Sequence, residues 1–266
     1  MSDRYARYSY LDVVVDDRIA MITIDRPETR NRCEPEDHTE FSTILRDINA
    51  DPDVDVAVIT ANGPDFYIGG GASFLDLYHS PPEAMAIMGE IREIVQSHIE
   101  CEKPVVCAIN GVAKGGGATF ALLCDYIILE RTALLSDGHI RSALAAGDGG
   151  TMVWPLSIGL TVAKKYLLTG DNISAEDAER FGLVTEVVEE GQGRARAIAV
   201  GRRLAGGPQT ALRKTKVALN QWLRLGQTTS HEYALGMQML TGIHPDVLVA
   251  SENAKNGGPG AIGQDV

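Results

Sequence analysis

Apolar positions recur along this chain with two periods, one of two residues and one near 3.6, and their succession predicts its elements. Two strand-like runs come first, Tyr10 to Val15 and Ile19 to Ile24, separated by Asp16, Asp17 and Arg18 in the manner of a hairpin. A turn at Arg26 and Pro27 leads through Glu34 and Pro35 into a helical stretch that ends near Asn49. Val56 to Thr60 is a short β-branched strand, followed by the glycine-rich segment Asn62 to Ser73. Met85, Met88, Ile91, Ile94, Val95 and Ile99 then mark one face of a helix over Glu83 to Glu100, and Pro104 to Ile109 returns to strand.

A second glycine-rich turn, Asn110 to Gly117, precedes an apolar helix from Ala118 to Cys124 and a strand from Tyr126 to Leu129. This alternation argues for an α/β core with right-handed crossovers. From Gly149 onward the pattern is helical apart from a strand at Leu183 to Val188, with helices expected at Val162 to Leu168, Ala175 to Phe181, Gly193 to Ala205, Pro208 to Leu225, Thr229 to Thr241 and Pro245 to Ala254. The division that follows is a core domain over residues 1–200, a helical region over 201–256 and a frayed tail over 257–266. The helical region has little sheet left to cover, so it is expected to pack on a neighbouring subunit as well.

Composition narrows the partners. With 44% hydrophobic and 23% charged residues the chain is of ordinary globular type, and 24 basic against 36 acidic residues give a net charge of -12. That field repels phosphate backbones and anionic lipid, so no nucleic-acid partner is expected. No stretch approaches the roughly 20 apolar residues that span a bilayer, and the first residues lack the apolar centre of a signal peptide, so a soluble cytoplasmic protein is expected. Cys33, Cys101, Cys107 and Cys124 show no metal-ligand spacing and are taken as buried free thiols, and no metal site is expected.

The chemistry centres on the two glycine turns. Lys114-Gly115-Gly116-Gly117-Ala118-Thr119 lies between strand and helix, where free amides and the helix dipole converge. It carries neither the Gly-Lys-Ser/Thr of a P-loop nor a G-x-G-x-x-G register. The other turn, Phe66-Tyr67-Ile68-Gly69-Gly70-Gly71-Ala72-Ser73, also follows a strand. Both are either ordinary tight turns or a pair of donor turns facing one another across a carbonyl, an oxyanion hole. No G-x-S-x-G elbow occurs.

Taken in order, Arg26-Pro27-Glu28-Thr29-Arg30-Asn31, Phe66-Tyr67-Ile68-Gly69-Gly70, Asn110-Gly111, Gly115-Gly116-Gly117, Cys124-Asp125, Gly147-Asp148-Gly149-Gly150 and Ala175-Glu176-Asp177-Ala178 resemble the crotonase (enoyl-CoA hydratase/isomerase) superfamily over roughly residues 10–250. The resemblance implies a core of ββα units wound into a spiral and a helical C-terminal region that builds homotrimers, often paired into hexamers. It implies oxyanion-hole amides at Gly70 and Gly116, an acyl-CoA thioester as substrate, and no permanently bound cofactor. It also implies an adenine contact near Ile68 and phosphate contacts at Arg26 and Arg30.

At the two positions where hydratases of the superfamily carry glutamates, this chain has Thr119 and His139. Thr119 is no base near neutral pH, though its hydroxyl can orient a water or cap a helix. His139, nine residues before Asp148, titrates near neutrality, and the aspartate either orients it or caps the next helix. Ser136-Asp137-Gly138-His139 and Gly147-Asp148-Gly149-Gly150 with Trp154-Pro155 resemble the 6-oxocamphor hydrolase-like branch, which cleaves β-diketones. Three functions follow: an enoyl-CoA hydratase or isomerase using His139 and Asp148, a β-diketone C–C bond hydrolase, or a silent acyl-CoA-binding relative. Tyr67 and Trp154 either line the pocket or belong to the core, and His38, His79, His98, His231 and His244 are assigned to structure or surface.

Overall fold

The computed structural model describes residues 3–256, so the tail expected over 257–266 lies outside the described residues. The strands are β1 (Leu11–Asp16), β2 (Ile19–Ile24), β3 (Val56–Ala61), β4 (Val105–Ile109), β5 (Ala113–Lys114), β6 (Tyr126–Glu130), β7 (Leu134–Ser136), β8 (Ile173–Ser174) and β9 (Glu186–Val188). The α-helices are α1 (Pro35–Ala50), α2 (Ala72–Leu77), α3 (Pro81–Glu100), α4 (Gly116–Leu122), α5 (Gly150–Ile158), α6 (Leu160–Thr169), α7 (Ala175–Phe181), α8 (Gly193–Ala205), α9 (Gln209–Gly226), α10 (Glu232–Gly242) and α11 (Pro245–Lys255).

Six strands form one sheet in the order β1-β2-β3-β4-β6-β9, with β1 and β2 antiparallel and the remainder parallel. Alternation along these strands separates two apolar layers. Ala57, Ile59, Val105, Cys107, Ile127 and Leu129 face the main core, while Val56, Val58, Val106, Ala108 and Ile128 face Ala197 and Val200 of α8. Both faces of the central strands are therefore covered, which is why they are continuously apolar rather than alternating with polar residues.

After each long strand the chain makes a second, shorter excursion, and these excursions form a second ladder. Tyr67 bridges Ala113, Ala113 pairs with Leu135 and Leu135 pairs with Ile173, while Cys33 bridges Gly70. Successive ββα turns thus stack as a spiral, and the backbones following Tyr67, Ala113 and Leu135 emerge together at one edge. That edge carries Gly70, Gly116 and the stretch from Asp137 to His139.

Several boundaries differ from the sequence pattern. Residues 150–158 form α5, a helix whose apolar character runs around its whole circumference and so leaves no periodic signal. Only Glu186–Val188 of the expected run from Leu183 is strand. The helices expected as Pro208 to Leu225 and Thr229 to Thr241 are joined through a π-helical turn, Gln227–His231. Helix α8 runs across residue 200, and Gly201 packs against Val58 so closely that a Cβ there would lie 2.8 Å from its Cγ2. All four cysteines are buried and free. Among the described residues no helix is long and apolar enough to cross a membrane.

Candidate functional site

A cavity of about 790 Å³ opens at the edge where the spiral turns end. Ile87, Ile91 and Ile94, at helical spacing on α3, give it an apolar wall, and Ala250 and Ala254 of α11 line it from the C-terminal region of the same chain. Helix α11 is tied down by Asp76 of α2, which accepts from Ser251 Oγ and from Lys255 Nζ, each at 2.9 Å.

The two glycine turns lie against each other. Lys114 N donates to Tyr67 O at 2.9 Å, and the Phe66 and Tyr67 amides both donate to Val112 O at 3.1 Å. Gly70 and Gly116 both line the cavity. Among the described residues neither amide donates to another group of the chain, and Gly116 is the first residue of α4, where no intrahelical acceptor exists. A methyl group at Gly70 would run into the Phe74 ring at 2.3 Å, so Phe74 lies directly over this turn. Tyr67 is stacked on Phe41 with ring centroids 4.9 Å apart and borders the cavity together with Ile68.

His139 is held between two aspartates. Its Nδ1 lies 2.9 Å from Asp137 Oδ1, and its Nε2 lies 3.5 Å from Asp148 Oδ2. The Asp137 carboxylate also accepts from the His139 amide at 3.2 Å, which fixes the turn as well as the ring. Asp148 Oδ1 accepts from the Thr119 hydroxyl at 3.1 Å and from the Gly150 amide at 3.4 Å, while Asp148 Oδ2 is buried with no hydrogen-bond donor. A methyl group at Gly116 would stand 3.6 Å from that same oxygen, so the carboxylate adjoins the donor turn.

Two glycines permit this approach. Gly149 has φ of 122°, in the range that favours glycine, and a side chain there would strike Thr119 Cγ2 at 2.8 Å. At Gly150 a Cβ would lie 2.3 Å from Asp137 Oδ2.

Burial alone would lower the His139 pKa, yet the charges of Asp148 and Asp137 and the hydrogen bond from Asp137 outweigh it and raise the value to about 10. Burial raises Asp148 above the usual carboxylate range, against the opposing pull of His139. The expectation that His139 titrates near neutrality is thus corrected: two flanking carboxylates keep it an imidazolium at pH 7. Ligand atoms of Asp137, His139 and Asp148 lie within 4.8 Å of one another, compact enough to hold a metal ion, a possibility the sequence pattern did not suggest. Here the imidazolium itself supplies the positive charge between the two carboxylates.

Of the other expected site residues, Thr119, Tyr67, Ile68 and Arg30 border the cavity. Arg30 is committed to Asp65, donating from Nε at 2.6 Å and from Nη2 at 3.2 Å. Arg26 is not among the cavity-lining residues: its guanidinium lies over Tyr10 at 5.6 Å and donates to Asp25 O at 2.9 Å. Trp154 belongs to the core, fully buried beside Tyr166 with ring centroids 5.8 Å apart. Trp154 lies on the buried side of α5 with Met152, Val153 and Ile158, so it packs into the core rather than into the cavity.

Three cavity residues, Lys114, Arg32 and His38, and the buried Asp137 beside His139 escaped the sequence pattern. Asp137 differs from any turn aspartate only through its contact with His139. Lys114 and Arg32 line the cavity and, among the described residues, make no ion pair or side-chain hydrogen bond within the chain. Burial, with Arg141 and Arg30 nearby, pulls the Lys114 pKa down. His38, assigned to structure or surface from sequence, lines the cavity and contacts Glu90, 52 residues away, at 2.9 Å.

A profile of the family described as enoyl-CoA hydratase/isomerase matches residues 15–254. The chain is similar to an (E)-benzylidenesuccinyl-CoA hydratase of Thauera aromatica, 36% identical over 208 residues that cover 77% of this chain and 79% of the relative. Among solved structures it is similar to an enoyl-CoA hydratase/isomerase of Mycobacterium paratuberculosis, with a TM-score of 0.88, 33% identity and coverage of 92% of this chain and 98% of the other. It is also similar to a β-diketone hydrolase of the cyanobacterium Anabaena bound to (S)-3-oxocyclohexyl acetic acid, with a TM-score of 0.85, 26% identity and coverage of 91% and 97%.

Proposed function

The chain belongs to the enoyl-CoA hydratase/isomerase family, and from that premise we propose that it adds water to a 2-enoyl thioester of coenzyme A, with Asp148 as base and His139 as acid. The observation that carries this reading is the buried Asp148 Oδ2, which accepts no hydrogen bond and lies 3.5 Å from His139 Nε2 and beside Gly116. That separation exceeds a good direct hydrogen bond and leaves Asp148 Oδ2 free to bind the reacting water.

In this reading the water oxygen bonds to the β-carbon while its proton passes to Asp148. The electron pair of the C=C bond moves into the thioester as an enolate, whose oxygen accepts from the amides of Gly70 and Gly116, typically worth about 2.7–4 kcal/mol per donor. The α-carbon then takes a proton from the His139 imidazolium. Transfer of the proton from Asp148 to His139 restores the resting state, and the sum of the steps is addition of one water. Asp137 holds the ring and keeps the imidazolium charged.

The cationic side chains Lys114 and Arg32, with Arg30 beside them, are suited to the phosphates of coenzyme A, and the backbone at Ile68 to its adenine. No further cofactor is required. Exposed Leu219, Trp222 and Leu225 on α9 leave an apolar face that favours assembly into a trimer, or a hexamer of two trimers.

A second reading is hydrolysis of a β-diketone, favoured by the histidine and aspartate pair and by similarity to the Anabaena hydrolase. There the same water attacks a ketone, and cleavage of the C–C bond releases an enolate into the same cradle. Calorimetric titration with coenzyme A and a short acyl-CoA separates the two. Micromolar binding, about -8 kcal/mol, followed by loss of the enoyl-thioester absorbance on turnover, is the expected result. Folded protein that binds neither ligand, yet cleaves free cyclic β-diketones, would establish the second reading.

A further inference from the structure

His38, which lines the cavity, forms a second histidine and carboxylate pair with Glu90. His38 of α1 has a side chain only 8% exposed, and its Nδ1 lies 2.9 Å from Glu90 Oε2 of α3. The remaining oxygen of Glu90 accepts from Thr39 Oγ1 at 2.6 Å, so both carboxylate oxygens are engaged. Burial opposes ionisation of Glu90, but the hydrogen bonds from His38 and Thr39 prevail and hold it below the usual carboxylate range. An ionised Glu90 places a proton on Nδ1 of His38 and leaves Nε2 as the ring nitrogen available to the cavity.

The ring is held in place on its other side. It meets Phe74 edge-on, with centroids 5.5 Å apart and planes inclined by 65°, and Phe74 in turn covers Gly70. His38 is therefore one aromatic ring away from the turn assigned to the thioester oxygen. Among the described residues no group of the chain bonds to Nε2, although His38 lines the cavity. A polar atom withdrawn from bulk water and left unpaired costs about 1–3 kcal/mol, so a bound group that satisfies it is favoured over one that does not.

The rest of this wall sharpens the contrast. Glu90 shares α3 with Ile87, Ile91 and Ile94, which suit a hydrocarbon chain. A plain alkyl group lying on these isoleucines would seal Nε2 away from water without giving it a partner. An acyl group carrying a hydroxyl would fill the same space and donate its O–H to the Nε2 lone pair.

We propose that His38, positioned by Glu90, is a specificity-determining residue that selects thioesters whose acyl group bears a hydroxyl. This inference rests on the thioester reading above and names the substrate class within it.

Equilibrium binding tests it without turnover. Butanoyl-, hexanoyl- and octanoyl-CoA, each beside its terminally hydroxylated and terminally carboxylated counterparts, and coenzyme A alone, are titrated into wild type, His38→Phe, His38→Gln and Glu90→Gln. The expected result is that at least one hydroxylated thioester binds wild type roughly tenfold or more tighter than its plain counterpart. His38→Phe should erase that ratio, His38→Gln should keep part of it, and Glu90→Gln should reduce it; the carboxylated arm, which offers Nε2 no donor, should show no such gain. Equal affinity for plain and hydroxylated thioesters, a ratio unchanged in His38→Phe, or an equal loss for coenzyme A alone would overturn the proposal and leave the thioester reading standing. Failure of folded wild type to bind any thioester would instead remove the thioester reading, and this inference with it.

Discussion

The Thr119 hydroxyl donates to Asp148 Oδ1 at 3.1 Å, joining the first turns of α4 to a loop 29 residues further along the chain. Position 119 is where the resemblance to two-glutamate hydratases leads one to expect a carboxylate. The carboxylate is present after all, supplied by Asp148 and held in place by the threonine. Thr119→Val keeps the shape and removes the donor. The variant should fold, lose about 1–3 kcal/mol of stability because a buried acceptor loses its partner, and move the basic group of the pH–rate profile upward, since the hydrogen bond from Thr119 lowers the Asp148 pKa. Urea denaturation and kcat/KM against pH measure the two effects, and an unshifted profile would exclude Asp148 as the base.

Asp137→Asn tests what keeps His139 charged. The asparagine removes the charge while its Oδ1 can still accept from Nδ1, so the imidazolium loses one of the three contributions that raise its pKa to about 10, and the value should fall. Titration of the His139 ring by NMR reports it directly. The high-pH limb of kcat should move down with it, and a ring pKa that stays near 10 would show that Asp148 alone holds the proton.

The same pair gives stability a pH dependence of definite sign. A histidine whose folded pKa of about 10 exceeds its ordinary value of 6.5 contributes stability that is complete below pH 6.5 and is lost as pH rises through 10. Thermal denaturation from pH 6 to pH 10 should therefore show Tm falling with pH for this reason, and the fall should be shallower in His139→Gln. Parallel slopes in the two proteins would mean that other groups govern the decline.

Gly150→Ala places a methyl group 2.3 Å from Asp137 Oδ2. The expected outcome is displacement of Asp137 from His139, with kcat reduced on the order of 10- to 100-fold, as for other losses of a positioned proton-transfer partner. Overpacking adds a stability loss of about 1–3 kcal/mol. Circular dichroism, denaturation and steady-state kinetics of the purified variant read all three.

The apolar face of α9 gives a further test. Trp222 is 66% exposed and Leu219 is 62% exposed on the protomer. If this face is buried between subunits, Trp222→Glu should shift the mass measured by light scattering from oligomer to monomer. A wild type that is already monomeric would discard the trimer.

Much of the fold was legible in the sequence because hydrophobic periodicity is set locally. The hairpin of β1 and β2 follows from alternating residues around Asp16 to Arg18, and α7 and α8 have the bounds their apolar spacing and flanking glycines indicate. A helix after Asp148 was expected, but the bounds of α5 were not drawn, since apolar residues around the whole circumference leave no amphipathic stripe.

At the site, residue types in an ordered set of motifs marked Gly70, Gly116, Thr119, His139 and Asp148, all of which line one cavity. What the sequence by itself determined was this inventory, because glycine turns and titratable side chains carry their chemistry wherever they fall. Only the tertiary structure decided the pairings: His139 with Asp137 and Asp148, Asp148 with Thr119, His38 with Glu90, Arg30 with Asp65, and Trp154 within the core. Except for Asp137, these polar partners lie at least 9 residues from each other in sequence, and they meet because stacked spiral turns and packed helices bring distant backbones together. Charge state follows from those meetings, since burial and the nearest opposite charge set a pKa, and neither is a property of sequence spacing.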